Sequence, residues 1–302
     1  MSVKFPLLAC AALLAGCASM PSAIPLADAG ASQRAWAAAC GDSDDWDKAG
    51  PPFRVSGNTY YVGTCGITSL LVVRPGGMTL IDSGTDEGAK TVLANIRTLG
   101  FDPRKVRALL MTHEHFDHVG GMARLQAATG ATIYTTGPAA VTLRSGLPNP
   151  DDPQAHSGHP QFPPVTGRIE RLDVPNGPLV LAGGLRPMFT PGHTLGATSW
   201  TWQECEQGDC KTIVYADSLN PISSDGYRFT DHPDLLRAFR GGLIAVGGAK
   251  CDIVLAPHPS AVSLRKWVSG AAPLIDPAGC RDYALSVSKR LDDRLAKERN
   301  DG

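Results

Sequence analysis

Between positions 112 and 118 the chain reads Thr-His-Glu-His-Phe-Asp-His, so His113, His115, Asp117 and His118 fall within six residues. His113 and His115 are two apart, a spacing that cannot share one helix face but suits an extended turn. Asp117 and His118 are adjacent and diverge, which lets one segment face two metal ions. Neutral imidazole with carboxylate is a nitrogen and oxygen set that suits Zn²⁺. Two further histidines stand just past runs that read as strands: His193 after Pro191-Gly192, and His258 after Pro257. The carboxyl ends of strands are where open α/β sheets place their ligands. Six such side chains divide into two sets of three, each leaving room for solvent, as catalytic zinc requires and closed structural zinc does not. A non-enzymatic zinc-binding envelope protein is the contrasting class, and it would fill all four positions. His156, His159 and His232 have no such company and read as loop or surface residues.

The elements that must position these residues are short. Runs rich in β-branched and aromatic residues, broken by Gly and Pro, predict strands at 58–63, 68–73, 78–82, 108–111 and 131–135. Helical spacing predicts helices at 87–99, stopped by Gly100, and at 119–129. The second half repeats the style, with strands at 168–173, 178–181, 185–190, 199–203, 212–216 and 252–256 and helices at 233–247 and 282–297. Strands alternating with helices in two halves predict a layered α/β protein. Residues 146–166, rich in Pro, Asp and His, form an irregular insertion of the kind that borders active sites.

Composition narrows the class. At 302 residues, 43% hydrophobic and 19% charged, the chain is that of a globular protein with a large core. A net charge of −1 with no long basic run argues against a nucleic-acid partner. Lys4, the apolar stretch 5–14 and the small residues Ala15 to Ala18 have the layout of a secretory signal, too short to span a bilayer. Leu14-Ala15-Gly16-Cys17 resembles a bacterial lipoprotein box, which implies a lipid anchor at Cys17 and, with Ala18 following, the outer membrane. The chain is therefore parsed as a signal at 1–17, a loosely ordered lead-in at 18–50 tied down by Cys40, and one domain at 51–302. Past the signal remain Cys40, Cys65, Cys205, Cys210, Cys251 and Cys280, an even number that points to disulfides in an oxidising compartment such as the periplasm. Six cysteines admit about 15 connectivities. Sequence order makes Cys40–Cys65, Cys205–Cys210 and Cys251–Cys280 the simplest set, and no CxxC pair supports a thiolate zinc site instead.

The HxHxDH run, Gly192-His193 and Pro257-His258 together resemble the metallo-β-lactamase superfamily, and most closely its subclass B3. The likeness extends to Gly57 through Thr64, Leu80 through Thr85, Pro191 through Thr194, Tyr215 through Leu219, and Pro257 through Pro259. It implies a four-layer αβ/βα sandwich with the metals in a cleft at one edge of the two sheets. It also implies two Zn²⁺ per chain, the first on His113, His115 and His193, the second on Asp117, His118 and His258. His118 and Ser218 stand where other subclasses carry a non-ligand Arg and a ligand Cys. Ser218 and Asn220 would then face the substrate, Asn220 in place of the usual Thr. Glu114 and Leu195 also depart from the common pattern, at positions that leave ligation intact. The three disulfide pairs above match those of some members. The implied activity is β-lactam hydrolysis by a monomer, which confers antibiotic resistance. A hydroxide bridging the ions attacks the lactam carbonyl, and Asp117 orients it. Asp82 is expected to support a ligating histidine from behind. The alternative is an exported thioester or lactone hydrolase of the same superfamily, in which Asp217 would bridge the metals.

Overall fold

The computed structural model describes residues 29–174, 180–181 and 183–300. The signal and lipid-anchor expectations at 1–17 lie outside these residues. Seven strands make the first sheet: β1 (Phe53–Ser56), β2 (Thr59–Tyr61), β3 (Leu70–Arg74), β4 (Gly77–Ile81), β5 (Val106–Leu110), β6 (Thr132–Thr135) and β7 (Ile169–Arg171), in that spatial order. β1 to β4 form an antiparallel meander, and β4 to β7 run parallel. The second sheet has the order β11-β10-β9-β8, from β8 (Arg186–Phe189), β9 (Thr198–Glu206), β10 (Asp209–Tyr215) and β11 (Ile253–Leu255), with only the β10–β11 pair parallel.

Side-chain alternation explains the layering. Successive strand residues point to opposite faces, so a strand buried on both sides must be apolar throughout. In β3, Leu70 and Val72 pack between the sheets with Trp200, Trp202, Ile213 and Tyr215. Leu71 and Val73 face outward onto α2 (Gly88–Thr98) and α4 (Met122–Thr129), through Val92, Ile96 and Leu125. β10 does the same on the other side: Val214 meets Phe239 and Leu243 of α6 (Pro233–Gly247) and Val287 and Leu291 of α8 (Gly279–Asn300). The result is helix, sheet, sheet, helix.

Several expectations needed correction. The stretch read as a loose lead-in contains α1 (Ala29–Cys40), whose Trp36 is fully buried against Phe53 and Tyr61. The helix expected across 119–129 is interrupted at Gly120–Gly121, residues of low helix propensity, giving α3 (Phe116–Val119) and α4. β1, α5 (Gly137–Ser145) and α7 (Leu264–Val268) were not anticipated. Of the strand expected at 178–181, residues 180–181 are not strand, and the others lie outside the described residues. Three disulfides are formed, Cys40–Cys65, Cys205–Cys210 and Cys251–Cys280. No helix among the described residues is long and apolar enough to cross a membrane.

Candidate metal centre

The centre begins where β4 and β5 end side by side. Asp82 follows β4 with φ of 62°, a left-handed conformation that Asp tolerates better than most side chains. Its Oδ1 accepts the Thr112 amide at 2.7 Å, and its Oδ2 accepts the Thr112 hydroxyl at 2.9 Å and the Tyr215 hydroxyl at 2.7 Å. Asp82 thus pins the residue before His113 and bridges to the second sheet. Its Oδ2 stands 3.9 Å from His118 Nδ1, an ion-pair distance without a hydrogen bond. The support expected of Asp82 therefore acts mainly through Thr112.

From Thr112 the chain leaves the sheet, and α3 carries Asp117 and His118 inward. His193 arrives from the loop after β8. A Cβ on the preceding Gly192 would lie 2.3 Å from the Phe239 ring, so only glycine lets this loop sit on α6. His258 arrives past β11. The structure brings all six expected ligand residues to one cleft. The ligand atoms of His113, His115 and His193 lie within 4.8 Å of one another, as do those of His113, Asp117 and His118. His118 Nε2 is 3.1 Å from Asp117 Oδ2 and 3.3 Å from His258 Nε2, and Asp117 Oδ2 is 3.6 Å from His258 Nε2.

These separations fit a metal. Bonds of about 2.0 Å directed to tetrahedral corners put neighbouring ligand atoms about 3.3 Å apart. Most of the imidazoles, moreover, have one nitrogen turned to the protein and the other left over. His193 Nδ1 faces the Asn220 carbonyl at 2.8 Å, His258 Nδ1 the Gly66 carbonyl at 3.3 Å, and His115 Nε2 the Asp152 carboxylate at 3.2 Å. His113 Nδ1 stands 2.8 Å from Asp217 Oδ1. Such partners fix tautomer and ring orientation in metal sites.

Charge makes the same case. Asp82, Glu114, Asp117, Asp152 and Asp217 are all buried around this cleft, and none has Lys or Arg as a hydrogen-bond or ion-pair partner among the described residues. Burial pushes the carboxyls of Asp82 and Glu114 up to about 6 and that of Asp217 to about 7. Burial works the same way on Asp117, but His118 outweighs it, helped by His258 and His115, and holds this carboxyl well below its usual range. Burial also lowers His193 to about 3 and His258 to about 4, with the neighbouring histidines adding to the effect, so these rings are neutral and available as ligands. A cluster of buried carboxylates with no Lys or Arg partner is costly, and bound metal cations would offset that cost.

Ser218 is buried beside the cleft, and its hydroxyl has no hydrogen-bond partner among the described residues. Asn220 reaches His193 through its carbonyl rather than its side chain. His159, read from sequence as a loop or surface residue, packs on His115 with ring centroids 5.3 Å apart, because the irregular insertion folds over that ligand. His156 and His232 are exposed. Asp152 was missed, and its only signal in the sequence was its place in that insertion. Trp46, 37% exposed, stands over the mouth against Phe116 and near His258.

Residues 62–240 match the family described as the metallo-beta-lactamase superfamily. Among solved structures, the MIM-2 metallo-beta-lactamase is 49% identical with a TM-score of 0.82, covering 88% of this chain and 98% of that one. The metallo-beta-lactamase MIM-1 from Novosphingobium pentaromativorans is 44% identical with a TM-score of 0.83, covering 89% and 99%. MEM-A1, a subclass B3 metallo-beta-lactamase from a soil metagenome library, is 37% identical with a TM-score of 0.79, covering 85% and 100%. Curated relatives match over shorter stretches. The ribonuclease TTHA0252 of Thermus thermophilus is 29% identical over 51% of this chain and 35% of its own length. A hydroxyacylglutathione hydrolase of Ectopseudomonas mendocina is 30% identical over 47% and 43%. The matched stretch thus spans well under half of either curated relative.

Proposed function

Given that this chain belongs to the metallo-beta-lactamase superfamily, we propose that it is a subclass B3 enzyme that opens β-lactam rings with two zinc ions. The observation that carries the reading is the convergence of two ligand triads on one cleft, with Ser218 beside them where a cysteine would signal another subclass. His113, His115 and His193 would hold one ion, and Asp117, His118 and His258 the other. Zinc bound there supplies a water acidic enough to attack at neutral pH and positive charge to polarise the lactam carbonyl. The chain's own residues do the rest. Asp117 stays ionised, with one oxygen toward His118 and His258 and the other left to accept a hydrogen bond from the attacking water and orient it. Ser218 has a free hydroxyl to donate to the substrate carboxylate. Asn220, two residues on and half-buried, is the second residue we assign to the substrate side. Trp46 and Phe116 pack edge to face near His258 and offer an aromatic surface beside the cleft for a substrate's apolar part.

A thioester or lactone hydrolase would want a carboxylate between the ions. Asp217 instead stands against the outer nitrogen of His113, and its Oδ2 accepts the Leu219 amide at 3.1 Å. All six proposed ligands come from one chain, so a single chain completes the site. Three disulfides support an oxidising compartment, so we place the enzyme in the periplasm, tethered through Cys17. The test is hydrolysis of a chromogenic cephalosporin and a carbapenem by the purified protein, abolished by a chelator and restored by zinc. His118→Ala should lower turnover by more than about 100-fold. Preferential turnover of S-lactoylglutathione or a homoserine lactone would refute the assignment.

A further inference from the structure

Glu114 sits between two proposed ligands in sequence, yet both its carboxylate oxygens are engaged by other residues. It is 3% exposed, and it reaches across to the loop that carries the third ligand of the same triad. Its Oε2 accepts the Thr194 hydroxyl at 2.6 Å, and its Oε1 accepts the Gly196 amide at 2.8 Å. Thr194 is fully buried and directly follows His193. The Gly196 end is fixed in turn: the Thr136 hydroxyl donates to the Gly196 carbonyl at 3.0 Å. A Cβ on Gly196 would come within 2.7 Å of both Thr136 and Ala139 at the start of α5. The receiving loop therefore has one way to sit.

We propose that Glu114 is a positioning residue that locks the His113–His115 segment to the His193 loop and so presets the first metal triad. This rests on the reading of the cleft as a dinuclear zinc centre. The two segments come from different sheets, 80 residues apart in sequence; the Thr198 amide ties them at Thr112 with a 2.7 Å bond to its carbonyl, and Glu114 adds the tie beyond it, between the ligands themselves. A carboxylate suits the task because it accepts from a hydroxyl and an amide at once, and hydrogen bonds to a charged acceptor are about twice as strong as neutral ones. Both carboxylate oxygens of Glu114 are taken up by Thr194 and Gly196 in the interior, so its effect passes through the neighbouring ligands.

The experiment compares wild type, Glu114→Ala, Glu114→Gln and Thr194→Val by zinc titration against a competing chelator and by the visible spectrum of the cobalt-loaded protein. In Glu114→Ala one of the two sites should weaken by roughly 10–100-fold and the cobalt bands should shift, as happens when support behind a ligand is lost. Glu114→Gln should recover most of the affinity, because a carboxamide oxygen still accepts from Gly196 and its NH₂ can donate to the Thr194 hydroxyl. Thr194→Val should move affinity in the same direction by less, and it keeps the comparison alive if Glu114→Ala does not fold. The Glu114→Ala/Thr194→Val double variant should be no worse than Glu114→Ala alone, since losing Glu114 already removes the Thr194 link. Wild-type affinities and spectrum in both Glu114→Ala and Thr194→Val, whatever their melting temperatures, would overturn the proposal and leave the metal centre standing. Failure of the wild-type chain to take up two ions would overturn both.

Discussion

Imidazole has two nitrogens, and a ligand is made by deciding which one the metal receives. In this centre the decision is made by groups far away in sequence: Asp152 for His115, Asn220 for His193, Gly66 for His258 and Asp217 for His113. Asp217 offers a direct check. Asp217→Ala should leave two zinc ions per chain while weakening one of them by roughly 10–100-fold, as measured by metal content and chelator competition. A drop to one ion or none would mean that Asp217 is itself a ligand. The six proposed ligands were legible in the sequence because four of them crowd into 113–118, a spacing with few other uses, and His193 and His258 each follow a strand. Their supports were not. A backbone carbonyl at Gly66 or Asn220 has no signature in residue type, and Asp152 is one of several acids in an irregular stretch. Asp217 was noticed for the right reason, its place beside Ser218, but its side chain turns to the histidine's outer face.

At the scale of elements, α8 does more than cover the second sheet. Its Tyr283 hydroxyl bonds the carbonyls of Asp217 and Ser218 at 2.9 and 2.7 Å, just before Leu219, which holds an uncommon φ of 47°. Near the other end Glu298 accepts the amides of Phe229 and Thr230, both at 3.0 Å, and the Arg294 guanidinium at 2.7 Å. Burial pushes the Glu298 carboxyl up, but the Thr230 amide, Arg294 and the Phe229 amide outweigh it and hold it below its ordinary 4.5. A depressed carboxyl stabilises the fold fully above its unfolded value and loses that contribution as pH falls through the folded one. Glu298→Gln should therefore cost about 1–2 kcal/mol at pH 7 by denaturant melts. The gap from wild type should close as pH drops below 4.5, and a gap that widens in acid would contradict this account. The main helices and strands were readable from periodicity, because strands buried on both faces are apolar throughout and the covering helices are amphipathic. β1, α5 and α7 were not, being short and set among Gly, Pro and Ser. The break at Gly120–Gly121 shows tertiary demands overriding a helical pattern: α3 must aim Asp117 and His118, and α4 must cover the sheet.

Over the whole molecule, the four layers leave a seam between the sheets, and the cleft opens at its edge. Each proposed triad takes two ligands from the segment after β5 and one from the second sheet, His193 or His258. Zinc at a thousand times its dissociation constant adds about 4 kcal/mol to stability. At roughly 2–4 °C per kcal/mol, chelation should lower the melting temperature by roughly 10 °C, and an unchanged melt would count against ions bridging the halves. Because both proposed ions would fasten the same seam, their binding should be coupled. Whichever arrives first would pay to order the ligand loops at the seam, and the second would find them already ordered. Uptake should then be cooperative, with the half-loaded protein scarce at substoichiometric zinc: the sandwich would behave as a clasp that is either open or doubly shut.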